Sequence, residues 1–257
     1  MQKAKTVVVT GAGSGIGRAT AQVLAADEHV RLMLVGRTQK TLDETRESLP
    51  RSSQHFTGAF DIRDAEKWKS FYHSTSASAM NVCGIFANAG TGGGNHYGEN
   101  DRWDDIISVN LTGTYVSIME CLPYLRKSEE KYRHAVITSS CLGRFGVSGY
   151  TAYCTAKTGL LGLTRALALE LAHDRILVNA ICPGWVETGM AKAGIQRLAD
   201  ADGQPYEEAY NEQMGMVPLE KISQPEEVGE LVRFLLSNRQ TSITGQGIDI
   251  NNGSYMN

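Results

Sequence analysis

Thr10-Gly11-Ala12-Gly13-Ser14-Gly15-Ile16-Gly17 is the stretch whose reading decides the fold. It follows the apolar run Thr6-Val7-Val8-Val9 directly and leads into a helical pattern that ends near Ala26. A strand, a glycine turn and a helix in succession aim backbone N–H groups and the positive end of a helix dipole at one point. A pyrophosphate fits there, because glycines carry no Cβ to hold it off. Glycine-rich turns are common, and the flanking strand and helix are what make this one informative.

Outward from that loop, apolar β-branched runs alternate with amphipathic stretches along the whole chain. The pattern predicts strands at Thr6–Thr10, Arg31–Gly36, His55–Phe60, Val82–Ala87, His134–Thr138, Ile176–Ile181 and Gly247–Ile250. Helices are expected over Thr38–Ser48, Ala65–Ala77, Arg102–Arg126, Thr151–His173 and Pro225–Leu236. For the last, Ser223 or Gln224 reads as the cap, with Pro225 in the first turn and Glu226 and Glu227 on the positive end of the dipole. Strict alternation implies βαβ units, right-handed crossovers and a parallel sheet with helices on both faces. Continuous apolar strands such as Leu32-Met33-Leu34-Val35 suit a sheet covered on both sides. The expected fold is therefore a single-domain α/β, doubly wound parallel sheet of about seven strands, spanning residues 1–257. One segment breaks the rhythm. Residues 189–218 hold two weak helical patterns, Met190–Ala199 and Tyr206–Met214, and an insertion at a carboxyl edge reads as a substrate lid.

Composition narrows the function classes. A net charge of −3 supplies no basic field for nucleic acid. The apolar stretches are too short to span a bilayer or to serve as a secretory leader, so a cytoplasmic protein is expected. Asn110-Leu111-Thr112 and Asn252-Gly253-Ser254 then read as chance matches to the glycosylation pattern. The five cysteines, Cys83, Cys121, Cys141, Cys154 and Cys182, have no CxxC spacing and are expected to be reduced. The histidines lack HxxxH and HExxH spacing, so no metal site is expected. A hydrolase on such a sheet would need a G-x-S-x-G elbow, which the sequence does not contain.

Tyr153 and Lys157 are four apart on a predicted helix and share a face. A free phenol titrates near pH 10, and a nearby ammonium favours its ionised form. Lowering it to about 7 needs about 4 kcal/mol, for which Lys157 and a cationic ring nearby are candidate sources. Ser139 and Ser140 end the fifth strand, where a hydroxyl could polarise a carbonyl. Each feature alone has a structural explanation: a surface pair, a strand-end turn, a helix-pinning asparagine at Asn110.

Together they resemble the short-chain dehydrogenase/reductase family. The resemblance rests on TGxxxGxG at Thr10, Gly11, Gly15 and Gly17, and on Asn88-Ala89-Gly90 after the fourth strand. YxxxK at Tyr153 and Lys157, and Pro183-Gly184 with Thr188 after the sixth strand, complete it. It covers essentially the whole chain and implies a nicotinamide-dependent oxidoreductase acting on a small-molecule carbonyl or alcohol. By that resemblance Tyr153 is the general acid/base and Lys157 tunes it while holding the nicotinamide ribose. Ser140, thirteen residues before Tyr153, would bond the substrate oxygen, with Ser139 as fallback, and Asn110 would hold a water in a proton relay. Gly11, Ser14, Gly15, Ile16 and Gly17 would take the pyrophosphate. Asp61 and Ile62 would lie around the adenine, and Asn88, Ala89 and Gly90 by the adenosine ribose. Pro183, Gly184, Val186 and Thr188 would line the nicotinamide.

The second strand ends at Gly36-Arg37-Thr38, where an NAD-binding chain would carry a carboxylate for the ribose 2′-OH. Arg37 can instead pair with a 2′-phosphate, which favours NADP(H) over NAD(H). The overall pattern looks like 3-oxoacyl-(acyl carrier protein) reductases and polyketide ketoreductases, and the long lid also suits a 3-hydroxybutyrate dehydrogenase-like enzyme. The lid carries Lys192 and Arg197 against Asp200, Asp202, Glu207, Glu208 and Glu212, a balance that leans toward a free small molecule or coenzyme A ester. Thr91–His96, Cys141–Arg144, Tyr150 and Trp185 are expected to face the substrate. An NAD-dependent hydroxy-acid or diol dehydrogenase and a non-catalytic dinucleotide sensor stay open as alternatives. Family likeness implies a homotetramer packed through the two long helices.

Overall fold

The computed structural model describes residues 4–256. Seven strands form one wholly parallel sheet: β1 (Lys5–Thr10), β2 (Val30–Gly36), β3 (Phe56–Ala59), β4 (Asn81–Ala87), β5 (Arg133–Thr138), β6 (Ile176–Pro183) and β7 (Gly247–Ile250). Their order is β3-β2-β1-β4-β5-β6-β7. The helices are α1 (Gly15–Ala25), α2 (Gln39–Ser48), α3 (Ala65–Ser74), α4 (Trp103–Ile107), α5 (Gly113–Arg126), α6 (Thr151–Glu170), α7 (Gly189–Asp202), α8 (Tyr206–Gly215) and α9 (Pro225–Leu235). This is a Rossmann-like single domain.

The period of two along each strand divides the core. Val7, Val9, Leu32 and Leu34 point to one face, where they meet Leu24 of α1, Leu42 of α2 and Val228, Val232 and Leu235 of α9. Val8, Met33 and Val35 point to the other, where Trp68 and Tyr72 of α3, Ile118 and Leu122 of α5 and Leu160 and Leu167 of α6 cover them. Burying both faces requires the all-apolar strands seen in the sequence. Sheet order reverses between β1 and β4, and such a switch point opens a crevice at the carboxyl ends of the strands. The glycine loop leaves β1 there and the Asn88 loop leaves β4 beside it.

Strand ends differ from the sequence reading by one or two residues. The helix expected over Arg102–Arg126 is instead α4 and α5 joined by a π-helical turn, Ser108–Thr112. There the Asn110 side chain donates to the Ile106 carbonyl at 2.9 Å, taking an acceptor that the regular helical ladder would use. α3 stops at Ser74 rather than Ala77, because Ser76 turns the chain with φ of 53°. Gln224 caps α9, its N–H donating to Glu227 Oε2 at 2.7 Å, while Ser223 lies buried in a bridge to Val186. Residues 189–218 do form two helices, α7 and α8, joined over a small cluster of Ile195, Ala199 and Ala209 with Trp185, Tyr206 and Tyr210.

Candidate active site

The glycine loop is packed against its own helix. A Cβ on Gly17 would stand 2.2 Å from the Gly11 carbonyl oxygen, so any side chain there would push the loop off α1. Ser14 precedes α1 with its hydroxyl exposed and unused as a cap, beside the free N–H groups of the first turn. Gly15 faces Thr188, whose Cγ2 is 3.0 Å from where a Gly15 Cβ would be, so the β1 and β6 loops approach across the crevice. Thr188 caps α7, accepting from the Ala191 N–H at 3.3 Å. Gly184 is tied to β7 through its N–H and the Ile250 carbonyl at 3.2 Å, and Val186 is buried. This concave, glycine-lined edge with unused donors fits a dinucleotide.

Asn88 and Ala89 are held from beneath. Their N–H groups both donate to Thr10 Oγ1 at 2.9 Å. Asn88 Nδ2 donates to the Thr10 carbonyl at 3.1 Å, and Asn88 Oδ1 accepts from Thr138 Oγ1 at 3.1 Å. The Asn88 side chain therefore laces β1, β4 and β5 together, leaving backbone at Ala89 and Gly90 to face the crevice. At its far end Arg37 is exposed and has no ion-pair partner among the described residues. Asp61 is bound by Arg63 at 2.6 Å, and that guanidinium holds its carboxyl below the usual range, with Arg37 adding in the same direction. Ile62 is buried against Gly113.

Ser140, Tyr153 and Lys157 converge at the carboxyl end of β5. Ser140 Oγ accepts from the Leu142 N–H at 3.1 Å and also bonds the Tyr153 phenol, an interaction that lowers the phenol's pKa. Burial acts more strongly and pushes Tyr153 up to about 12. That outcome differs from the phenol near 7 expected from the sequence: in a dry site, desolvation of the phenolate outweighs its neighbours. Lys157 Nζ lies 5.4 Å from the Tyr153 ring centroid and donates to the Thr138 carbonyl at 2.8 Å. Burial lowers it to about 8. Ser139, the fallback serine, is spent structurally: its Oγ donates to the Lys157 carbonyl at 2.7 Å and braces α6. Asn110 is nearby, since a Cβ on Gly90 would lie 2.5 Å from Asn110 Oδ1 and 3.8 Å from Lys157 Nζ. Its side chain is committed, donating to the Thr91 and Ile106 carbonyls at 2.9 Å and accepting from the Thr91 N–H at 3.1 Å.

Residues 5–198 match the family model for short chain dehydrogenase. The chain is a short-chain dehydrogenase. It is 30% identical over 260 residues to the 3-oxoacyl-[acyl-carrier-protein] reductase FabG of Staphylococcus aureus, covering 100% of both chains. A solved single-substitution variant of actinorhodin polyketide ketoreductase with NADPH has 31% identity and a TM-score of 0.90, covering 98% of this chain and 97% of that one. Levodione reductase gives 28% identity and a TM-score of 0.88, with 98% of each chain covered. The protein is thus an oxidoreductase of a family that uses nicotinamide dinucleotides, with ketoacyl reductases among its relatives.

The dehydrogenase also uses residues that a linear reading misses. Asn95, in the loop after β4, reaches the start of α6: its Oδ1 accepts from the Ala152 N–H at 2.8 Å and from Thr151 Oγ1 at 3.0 Å. Tyr150 stands at the cap position without a side-chain cap bond, so Asn95 serves as a cap borrowed from another loop. Arg144 was expected to face the substrate. Instead it turns to β7, bonding the Asp249 carboxylate at 3.1 and 3.2 Å and the Gly247 carbonyl at 2.6 Å. Trp185 packs on Gly194 of α7, 3.3 Å from a Cβ placed there, and so anchors the helical insertion. Signals for these contacts do not exist locally, because the partners are 57 and 105 residues apart. The five cysteines are free, and no helix among the described residues is long and apolar enough to cross a membrane.

Proposed function

We propose that this short-chain dehydrogenase is an NADP(H)-dependent carbonyl reductase or alcohol dehydrogenase with Tyr153 as general acid/base. The observation that carries the reading is the convergence of Ser140, Tyr153 and Lys157 at one strand end beside the glycine-lined crevice. When bound, the cofactor supplies or accepts the hydride. In reduction, the carbonyl π-electrons pass to oxygen as hydride reaches carbon, and that oxygen takes the Tyr153 proton. A phenol held near 12 keeps that proton at neutral pH. Ser140, accepting from Leu142, would redirect its hydroxyl hydrogen from the Cys141 sulfur to the same substrate oxygen. Lys157 stabilises the phenolate left behind. Asn110 fastens the Thr91 loop and the π-turn around this group, a positioning role alongside the expected water relay.

The likeness to FabG and to an NADPH-bound ketoreductase supports a 3-oxoacyl thioester or related ketone as substrate. Arg37, exposed at the end of β2, supports a 2′-phosphate on the cofactor. α7 and α8 act as the substrate lid. A homotetramer built on α5 and α6 completes the reading.

Parallel fluorescence titrations with NADPH and NADH test the cofactor. Tighter NADPH binding that Arg37→Ala removes, by roughly tenfold or more, is expected. Preference for NADH would turn the reading to an NAD-dependent hydroxy-acid or diol dehydrogenase. Tight NADPH binding with no measurable turnover, in wild type as in Tyr153→Phe, would instead mark a dinucleotide sensor.

A further inference from the structure

The loop after β4 leads from the catalytic lysine to the mouth of the crevice. Gly90 lies beside Lys157 Nζ. Two residues on, Gly92 meets Met190 of α7, whose Sδ is 2.9 Å from a Cβ placed at Gly92. At Gly93 two guanidinium groups meet, one from α7 and one from the residue before α4. A Cβ built there would be 2.6 Å from Arg102 Nη1 and 2.6 Å from Arg197 Nη1. The two nitrogens therefore lie within twice that distance of each other. Gly93 has φ of +110°, a backbone conformation that a side chain would strain.

Arg102 is fixed on the loop wall. Its Nη1 donates to the Gly92 carbonyl at 3.0 Å and its Nη2 to Thr91 Oγ1 at 3.2 Å. Its one carboxylate, Asp105, stands at 3.4 Å and is half exposed. Arg197 has no ion-pair partner among the described residues. Met190 and Arg197 are two turns apart on α7, so one face of that helix presents an apolar and then a cationic side chain to the loop. Two cations this close repel unless an anion lies between them. Paired guanidinium forks are suited to a planar or tetrahedral oxyanion.

We propose that Arg102 and Arg197 form an oxyanion site at the mouth of the crevice, which takes a carboxylate or phosphate at the end of the substrate remote from its carbonyl. This rests on the reductase reading above. Gly93 lies three positions beyond Gly90, a backbone span of at most about 10 Å. A substrate held at Tyr153 reaches Gly93 with a short chain, passing Met190 on the way. Since Arg197 rides on α7 and Arg102 on the loop, the anion also clamps the lid to the opposite wall.

The test uses the protein saturated with NADP+ and two probe pairs, each an anion and an uncharged counterpart. These are 3-oxobutanoate against its methyl ester, and 4′-phosphopantetheine against pantetheine. Calorimetry is expected to show at least one anionic member binding roughly tenfold tighter than its neutral partner. Arg197→Ala is expected to erase that preference and to leave neutral-probe binding within about twofold. Preference in the first pair assigns a carboxylate, and in the second a phosphate. Equal binding within both pairs, or a preference that survives both Arg197→Ala and Arg102→Gln, overturns the site. NADPH oxidation with the two 3-oxobutanoate probes separates the two readings. Anion binding without turnover of any carbonyl would remove the reductase reading and keep the site. Turnover indifferent to charge would do the reverse.

Discussion

Lys157 shows how one buried side chain ties chemistry to stability. Burial lowers its pKa from 10.5 to about 8, so the folded protein releases this proton earlier than the unfolded chain does. Between about pH 8 and 10.5 the unfolded state binds more protons here, and the Lys157 contribution to stability therefore rises with pH. Tyr153 has the opposite sign. Raised from 10 to about 12, it keeps its proton longer when folded, so its contribution falls as pH rises from 10 to about 12. Denaturant titrations from pH 7 to 10 should show wild type gaining on Lys157→Met, by a few kcal/mol at most. The buried cysteines are common to both proteins and cancel in the difference. A flat difference over that range would mean that Lys157 is not desolvated as described. At the same site, Tyr153→Phe should cut turnover by about 100-fold or more while NADPH affinity stays within about twofold. Steady-state rates beside fluorescence titration would show it, and retained turnover would remove Tyr153 as the acid. The Tyr–Lys spacing was readable in one dimension. The direction of the phenol's shift was not, because burial is a property of the packed core.

At the scale of elements, the start of α6 carries the most consequence. Tyr153 is the third residue of that helix, and the helix's first N–H groups need partners that its own cap position lacks. Asn95 supplies one from the β4 loop. Asn95→Ala is expected to lower stability by about 0.5–2 kcal/mol, as loss of an N-cap does, and also to lower kcat by loosening Tyr153. Urea midpoints at constant slope, measured beside kcat, distinguish this from a loop that merely frays. The same element shows where sequence reading stops. Apolar periodicity located α6, the strands and both helices of the insertion, because periodicity reflects which face is buried. The π-turn at Ser108–Thr112 escaped it, since Asn110 diverts one backbone carbonyl without disturbing the apolar pattern. Spacing by family resemblance put Ser140 ahead of Ser139, and the structure adds why Ser139 is the brace: its hydroxyl donates to the Lys157 carbonyl, whereas Ser140 turns to the Leu142 N–H.

Across the whole molecule, both faces of the sheet are sealed within one chain, so assembly must use the outer sides of the helices. On α6 Leu169 is 81% exposed, and on α5 Tyr115 is 45% exposed, on the two helices expected to meet a partner. Sedimentation velocity should find a tetramer, and Leu169→Glu should shift it to smaller species at micromolar concentration. A wild-type monomer would remove the tetramer from the proposal. The parallel sheet covered on both faces followed from strand–helix alternation, whereas the strand order and the pairing of distant loops had to be seen. The bond from Arg144 to Asp249, 105 residues on, has a meaning during biosynthesis. Ser140, Tyr153 and Lys157 emerge from the ribosome well before the strand that steadies the serine loop. The partners are 105 residues apart, a delay of about 5–20 s at ordinary elongation rates. Once β6 has been made and until β7 follows, β6 has a bare edge where β7 belongs, and the nascent chain is open to chaperones at the flank of the sheet next to the strand that ends at Ser139 and Ser140.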